Sequence, residues 1–273
     1  MQLSFEFFPP RTDKGKQNLK QVRQALSSIN PCYFSTTFGA GGTTQEATLE
    51  TILDIQAHDD VSAVPHLSCI DSEKSNILAL LNQYKAAGIN RIIALRGDIP
   101  SGVRDIGDFH YANELVEFIR HEFNDHFHIE VAAYPEMHPQ AKNMNSDLVH
   151  FANKIKAGAN SAITQYFYNV DAYLRFVDDV QKMGIDAPIT PGIMPITNHN
   201  QLLRFSNMCG AEIPRWVEKR LATYGDDLES LSAFGLDVVN SLCDQLKSQG
   251  VESFHFYTMN KSQPSLQLAK NLL

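Results

Sequence analysis

Two hydrophobic patterns alternate along the chain. Short runs of apolar, β-branched and aromatic residues are separated by longer stretches with apolar residues at i, i+3, i+4 spacing. Eight short runs can be marked: Leu3–Phe8, Tyr33–Phe38, Ala63–Ser68, Arg91–Arg96, His128–Tyr134, Ser161–Phe167, Pro188–Met194 and Ser253–Met259. Runs of this length and composition predict buried strands. The intervening stretches Lys14–Ser28, Gln45–Ala57, Glu73–Ala87, Tyr111–Phe123, Asp147–Ala157 and Asp171–Met183 carry the helical period. Thr43 with Glu46 predicts a capping box, and Asp71 or Ser72 predicts the cap of the next helix. Gly88, Gly158 and Gly184 predict helix stops, each ahead of a strand.

Strand followed by helix, repeated, requires parallel strands joined by right-handed crossovers. Eight repeats in 273 residues predict an α/β fold, a (β/α)8 TIM barrel occupying residues 1–273 as a single domain. The segment Thr197–Gly250 between the seventh and eighth strands is predicted to hold extra helices near Gln201–Met208, Pro214–Thr223 and Asp227–Lys247. An open doubly wound sheet is the rival arrangement.

Composition narrows the function classes. With 20% charged and 43% apolar residues the chain is globular. A formal net charge of -8 argues against a general binder of nucleic acid or of anionic membranes. The cysteines Cys32, Cys69, Cys209 and Cys243 are widely separated and form no C-x-x-C pair, so they read as free thiols of a reducing compartment. No apolar run approaches the ~20 residues that span a bilayer. The N-terminus shows no basic region followed by an apolar core. The expectation is a cytoplasmic protein with no nucleic-acid or membrane partner.

One residue breaks the hydrophobic pattern of the first strand. Glu6 stands inside Leu3-Ser4-Phe5-Glu6-Phe7-Phe8, a run stopped by Pro9-Pro10. A carboxylate there must find a partner, meet a ligand or hold its proton. Burial disfavours the ionised form of a carboxyl group, which suits a general acid near neutral pH. The plainer reading is an ion pair with a buried Arg or Lys.

A barrel makes a further prediction, because its active site lies at the C-terminal ends of the strands. Thr36-Thr37-Phe38, Pro65-His66-Leu67-Ser68, Leu95-Arg96-Gly97-Asp98, Tyr134-Pro135-Glu136-Met137-His138, Thr164-Gln165, and His255, Tyr257 and Lys261 all fall at such ends. Together with Glu6, most strands deliver a polar side chain to one mouth. Each residue also has a structural reading: a core histidine for His66, an Arg96–Asp98 pair, a tight turn for Gly39-Ala40-Gly41-Gly42. Glu6, His66, Asp98, Glu136 and His138 have donors for a metal, yet no H-x-H or H-x-x-x-H spacing accompanies them. Aromatic residues near the mouth (Phe8, Phe38, Tyr111, Tyr134, Tyr166, Phe167, Phe205 and Tyr257) suit a flat conjugated ligand better.

These motifs, in order, resemble the bacterial methylenetetrahydrofolate reductases. The resemblance rests on Phe5-Glu6-Phe7-Phe8-Pro9-Pro10-Arg11, Pro65 to Asp71, Ala94 to Asp98, Ala132 to Pro139, Ala157 to Asn160 through Ile163-Thr164-Gln165, and Phe254 to Asn260. It covers nearly the whole chain and implies the catalytic barrel without a regulatory domain. It also implies FAD as cofactor, NADH or NADPH as hydride donor, and a folate substrate, used in turn in a ping-pong cycle that feeds methionine synthesis. The oligomeric state is not legible, although a homo-oligomer is the expectation.

By the same resemblance Glu6 is the general acid that protonates the folate as its five-membered ring opens to an iminium. Asp98 stabilises that cation between flavin and pterin. Gln165, Gln201, Phe205 and Lys261 match substrate contacts, and Thr37 matches a nicotinamide-side contact. Phe38, Ala40, His66, Arg96, Gly97, Asp98, Tyr111, Ala112, Tyr134, His138, Asp147, His150, Asn153 and Lys154 match FAD contacts. The chain departs from relatives at His150, where they carry Asn, and at Asn153 and Lys261, where they carry Arg. Losing an Arg removes a bidentate donor to phosphate, which shifts the expected anion binding toward Lys154 and Lys142. Phe38 replaces a tyrosine of some relatives and keeps the ring without the hydroxyl.

Overall fold

A computed structural model describes residues 1–38, 42–97 and 107–273, with nothing described of the side chains of residues 42–44. The strands are β1 (Gln2–Phe7), β2 (Tyr33–Thr36), β3 (Ser62–Ser68), β4 (Arg91–Leu95), β5 (His128–Ala133), β6 (Ser161–Thr164), β7 (Ile189–Thr190), β8 (Gly192–Ile193) and β9 (Ser253–Tyr257). They pair in parallel in the order β7-β6-β5-β4-β3-β2-β1-β9-β8. The seventh predicted strand is therefore two short pieces of one barrel strand. Pro191 lies between them; β7 pairs with β6 and β8 with β9, so the two pieces close the barrel. Gly192 permits the closure: a Cβ there would lie 2.2 Å from the Thr164 carbonyl oxygen and 2.6 Å from the Tyr257 ring.

The crossover helices are α1 (Asp13–Ser27), α2 (Gly42–His58), α3 (Lys74–Ala86), α4 (Ala112–Phe123), α5 (Met144–Lys156) and α6 (Val170–Lys182). Between β8 and β9 lie α7 (His199–Cys209), α8 (Arg215–Ala222) and α9 (Leu228–Ser248), the extra helices that the sequence predicts. The last helix, α10 (Ser265–Leu272), is not anticipated by the sequence reading. It packs Leu266, Leu268, Ala269 and Leu272 into the core.

Helix punctuation is partly as predicted. Gly88, Gly158 and Gly184 take φ of 78°, 115° and 75°, the left-handed region a side chain resists. The predicted cap of α3 is wrong. Its N-cap is Glu73, without a side-chain cap bond. Ser72 instead forms a β-bridge with Gly107, and its hydroxyl donates to the Ile70 carbonyl. Thr43, the predicted start of a capping box, falls inside α2, and its side chain lies outside what is described.

Strand alternation divides the hydrophobic from the polar interior. Phe5, Phe7, Phe34, Phe254 and Phe256 face outward into the layer between sheet and helices, all fully buried. Each contributes about 1.5–3 kcal/mol by burial. Inside the barrel the apolar content is small: Tyr33, Val64, Ile93 and Ile163, with Leu95 against them. The opposite face of β1 presents Ser4 and Glu6 to this interior.

Candidate active site

Glu6 is the next-to-last residue of β1, at the C-terminal mouth of the barrel. The end of β9 holds it there. Thr258 Oγ1 donates to the Glu6 carbonyl at 2.6 Å, and the Asn260 amide bonds both backbone groups of Phe8 at 2.8 and 2.9 Å. Pro9 and Pro10 then end the strand, since proline cannot continue the ladder.

The Glu6 side chain is 12% exposed and sits between two buried imidazoles, His66 Nε2 at 3.4 Å and His255 Nε2 at 3.6 Å. Among the described residues no Lys or Arg lies within ion-pair distance of it, and neither imidazole Nε2 has a hydrogen-bond partner. Among the described residues the ion-pair reading with a buried Arg or Lys finds no partner for this carboxylate. Burial pushes the His66 pKa below its usual 6.5, opposed by the charge of Glu6 and reinforced by His255. Tyr257, next to Glu6 across the β1–β9 register, donates its hydroxyl to the Thr164 carbonyl at 2.7 Å; burial first, then Glu6, raises its pKa.

The titration of His66 has a consequence for stability. A folded-state pKa below the unfolded value means that the native state prefers neutral imidazole. That contribution is complete above pH ~6.5 and is lost as pH falls through the unfolded value toward the folded one. His128, whose pKa burial also lowers, acts in the same sense. The melting temperature is expected to drop between about pH 7 and about pH 5.5, and His66→Gln should flatten that slope. Equal slopes for the two proteins would show that His66 is not a source of the pH dependence.

The other predicted residues gather at the same end of the barrel. Thr37 and Phe38 follow β2 and are half-buried; the Thr37 amide is tied to the Phe7 carbonyl at 2.9 Å. Arg96 follows β4 and holds the Gly97 carbonyl with Nε at 3.0 Å and Gln140 Oε1 with Nη2 at 2.6 Å. Gly97 has φ 88°, and a Cβ there would lie 1.9 Å from Ser68 Oγ. Only glycine allows the backbone to run this close. Tyr134 and His138 follow β5 with their rings edge to face at 4.6 Å. Gln165 follows β6, its own side-chain oxygen accepting from the Tyr166 amide. Gln201 and Phe205 lie one turn apart on α7, and Lys261 is exposed beyond β9. Ala40 and Asp98 lie outside the described residues.

The FAD candidates fit a flat, anionic group in part. Tyr111, the N-cap of α4, is 51% exposed and stacks on His150 at 5.9 Å and 15°, which leaves a flat aromatic surface open beside Ala112. His150, Asn153 and Lys154 share the helix α5. Two of the candidates make internal contacts. Asp147 accepts the His138 amide at 2.7 Å and so fixes the turn that carries this ring. Lys154 donates to the Ala132 carbonyl at 2.5 Å, and desolvation brings its pKa down to about 8. Lys142 is exposed. Among the described residues no three His, Cys, Asp or Glu side chains group to hold a metal ion.

Several polar residues of the barrel interior are given no role by the sequence reading, which places His255 at the mouth and passes over Glu130. His255 Nδ1 lies 2.7 Å from Ser4 Oγ, and Glu130 takes bonds from Tyr33, Arg91 and Ser161. Glu130 had the same signal as Glu6, a carboxylate within an apolar strand.

A closed parallel barrel with an acid between two buried imidazoles at its C-terminal mouth defines an enzyme of the (β/α)8 class. The particular family comes from comparison. A methylenetetrahydrofolate reductase family model matches residues 1–273. The chain is 39% identical over 272 residues to the 5,10-methylenetetrahydrofolate reductase of Escherichia coli (strain K12), covering 99% of this chain and 90% of that protein. It is 36% identical over 282 residues to methylenetetrahydrofolate reductase (NADH) 1 of Arabidopsis thaliana, covering 98% of this chain and 48% of that longer protein. A solved structure of a protein from Clostridium thermocellum that binds two copies of 5-methyl-5,6,7,8-tetrahydrofolic acid shares the fold with a TM-score of 0.64 at 15% identity, covering 99% of this chain and 93% of that one. The chain belongs to the methylenetetrahydrofolate reductase family and is an oxidoreductase. Among the described residues no helix is long and apolar enough to cross a membrane.

Proposed function

We propose that the chain reduces 5,10-methylenetetrahydrofolate to 5-methyltetrahydrofolate, with FAD passing a hydride from a nicotinamide dinucleotide to the folate in two alternating half-reactions. Glu6 carries this reading: a carboxyl group at the mouth, held by β9, with two buried imidazoles and no cation among its described neighbours. Opening the methylene bridge breaks a C–N bond, and the departing nitrogen needs a proton at that moment. Glu6 supplies it as general acid. Asp98, three residues past β4 in the sequence, stabilises the iminium cation that the opening leaves. Gln165 and Gln201 offer amides that both donate and accept toward the pterin, with Phe205 and Lys261 completing the folate side. Tyr111, His150 and the turn at Gly97 receive the flavin nucleotide, and Thr37 borders the nicotinamide. NADH is the favoured donor, the cosubstrate named for the Arabidopsis relative. The product supplies methyl groups for methionine synthesis.

The purified protein is expected to be yellow. Under anaerobic conditions NADH should bleach its visible band, and methylenetetrahydrofolate should restore it. A colourless protein that binds no added FAD, or a reduced protein that folate does not reoxidise, would contradict the reading. In the same cycle Asp98→Asn should slow reoxidation more than bleaching. Equal losses in both would place Asp98 in flavin binding alone.

A further inference from the structure

The turn after β5 carries a carboxylate that neither the flavin nor the folate reading uses. Glu136 stands between Tyr134 and His138, two of the FAD candidates. Its Oε2 accepts the backbone amide of Glu212 at 2.8 Å. Glu212 lies in the short link after α7, the helix that carries Gln201 and Phe205. Glu136 Oε1 is buried and has no hydrogen-bond partner among the described residues. Burying a carboxylate carries a penalty that one backbone bond only partly offsets.

The turn is shaped around this contact. Met137 has φ 102°, an outlier for a bulky side chain. Such a conformation persists only where its surroundings over-determine it. Here the residues on either side are tied to different helices. The His138 amide donates to Asp147 of α5 at 2.7 Å, while the Glu136 side chain takes the amide beyond the end of α7. The two segments also pack closely: a Cβ added at Gly210, the C-cap of α7, would lie 3.0 Å from Pro139 Cγ.

A second contact pins the same helix. Ser206, the residue after Phe205, is buried with its Oγ 3.0 Å from the Tyr166 hydroxyl. Tyr166 directly follows Gln165. Thus α7 is tied along its buried side to the end of β6 and beyond its last turn to the end of β5.

We propose that Glu136 is a positioning residue for the folate: it holds the end of α7 against the flavin-side turn and so fixes Gln201 and Phe205 relative to the ring bound beside Tyr134 and His138. The proposal rests on the folate reading of Gln201 and Phe205. Glu136 itself touches no reacting atom. Its effect falls on folate affinity rather than on the flavin, because the flavin-side turn keeps its own tie through Asp147. The helix needs reach and an acceptor oxygen from residue 136, not a charge. Burial, opposed by the bond from the Glu212 amide, pushes the Glu136 carboxyl up to about 7, so a neutral amide of the same length suits the place.

Three variants separate reach from charge. Glu136→Gln keeps the length and the acceptor without the charge. Glu136→Asp keeps the charge and falls one methylene short. Glu136→Ala has neither. Each FAD-loaded protein is titrated with 5-methyltetrahydrofolate in a calorimeter, and its FAD content and anaerobic bleaching by NADH are measured. The dissociation constant should rise at least about fivefold in Glu136→Asp and Glu136→Ala, the loss of one hydrogen bond, and stay within about twofold of the parent in Glu136→Gln. All three should retain FAD and bleach at close to the parent rate. Glu136→Asp is the smaller change and carries the test if Glu136→Ala does not fold. Parent affinity for the folate in Glu136→Asp overturns the proposal. So does an equal loss in Glu136→Gln, which assigns the effect to charge, and so does loss of FAD in step with folate, which places Glu136 in flavin binding. A parent protein that binds no 5-methyltetrahydrofolate contradicts the folate reading itself, and the proposal with it.

Discussion

Glu6→Gln is expected to lower the folate half-reaction by at least about a hundredfold while NADH still reduces the flavin at close to the parent rate. The substitution keeps the size and shape of the side chain. The strand end is held through backbone groups, with Thr258 on the Glu6 carbonyl and Asn260 on Phe8, so the mouth should keep its form. An amide, however, has no acidic proton to give to a departing nitrogen. Hydride transfer from a nicotinamide needs no such proton. The expected signature is therefore a split between half-reactions. His66 cannot substitute as the acid, because burial lowers its pKa and keeps the ring neutral near pH 7.

The second large effect is on stability. Gly192→Ala should destabilise the protein by about 3 kcal/mol or more, the range for overpacking at a site that cannot yield. The new methyl group would meet the Thr164 carbonyl oxygen at 2.2 Å and the Tyr257 ring at 2.6 Å. Neither obstacle is free to move. Thr164 ends β6, its hydroxyl takes the Gly192 amide at 2.9 Å, and its carbonyl takes the Tyr257 hydroxyl at 2.7 Å. Any relief would open the seam where β8 completes the barrel. Gly184→Ala is the control: its added Cβ meets nothing within 4 Å, and only its φ of 75° resists. It should cost about 1–2 kcal/mol. Urea unfolding of both variants measures the difference, and equal costs would refute the steric argument.

The barrel was legible because its outer layer is. Phe5, Phe34, Phe254 and Phe256 sit in short apolar runs that only a doubly covered parallel sheet can bury, and the helices between them show their period plainly. The break in the seventh strand was not legible, since Pro188–Met194 reads as one run and only closure shows which neighbour each half pairs with. The helix Ser265–Leu272 carries helical spacing in Leu266, Ala269 and Leu272, yet it follows the last strand, where the repeating beat has already ended.

At the site, Glu6 was visible as a charge in an apolar strand. Glu130 carried the same mark and turned out to have a cationic partner, Arg91 at 3.0 Å, of a kind that Glu6 does not have among the described residues. Ser4 and Tyr33 gave no signal, because serine and tyrosine are ordinary in strands, and His255 was legible only as one polar residue of the last strand, without a partner or a role. Their meaning depends on which side of the strand faces the barrel axis, and alternation fixes that only once the sheet is closed. The anion side was least legible. Lys154 is a plausible phosphate ligand by position, but its ammonium is bonded to the Ala132 carbonyl.

The central claim is that Glu6 delivers the proton that opens the folate ring. Its most direct test is anaerobic stopped-flow mixing of the prereduced Glu6→Gln protein with methylenetetrahydrofolate, following the return of flavin absorbance. The account predicts that reoxidation is slowed at least about a hundredfold, against near-parent bleaching by NADH in the same preparation. Reoxidation at the parent rate would contradict it.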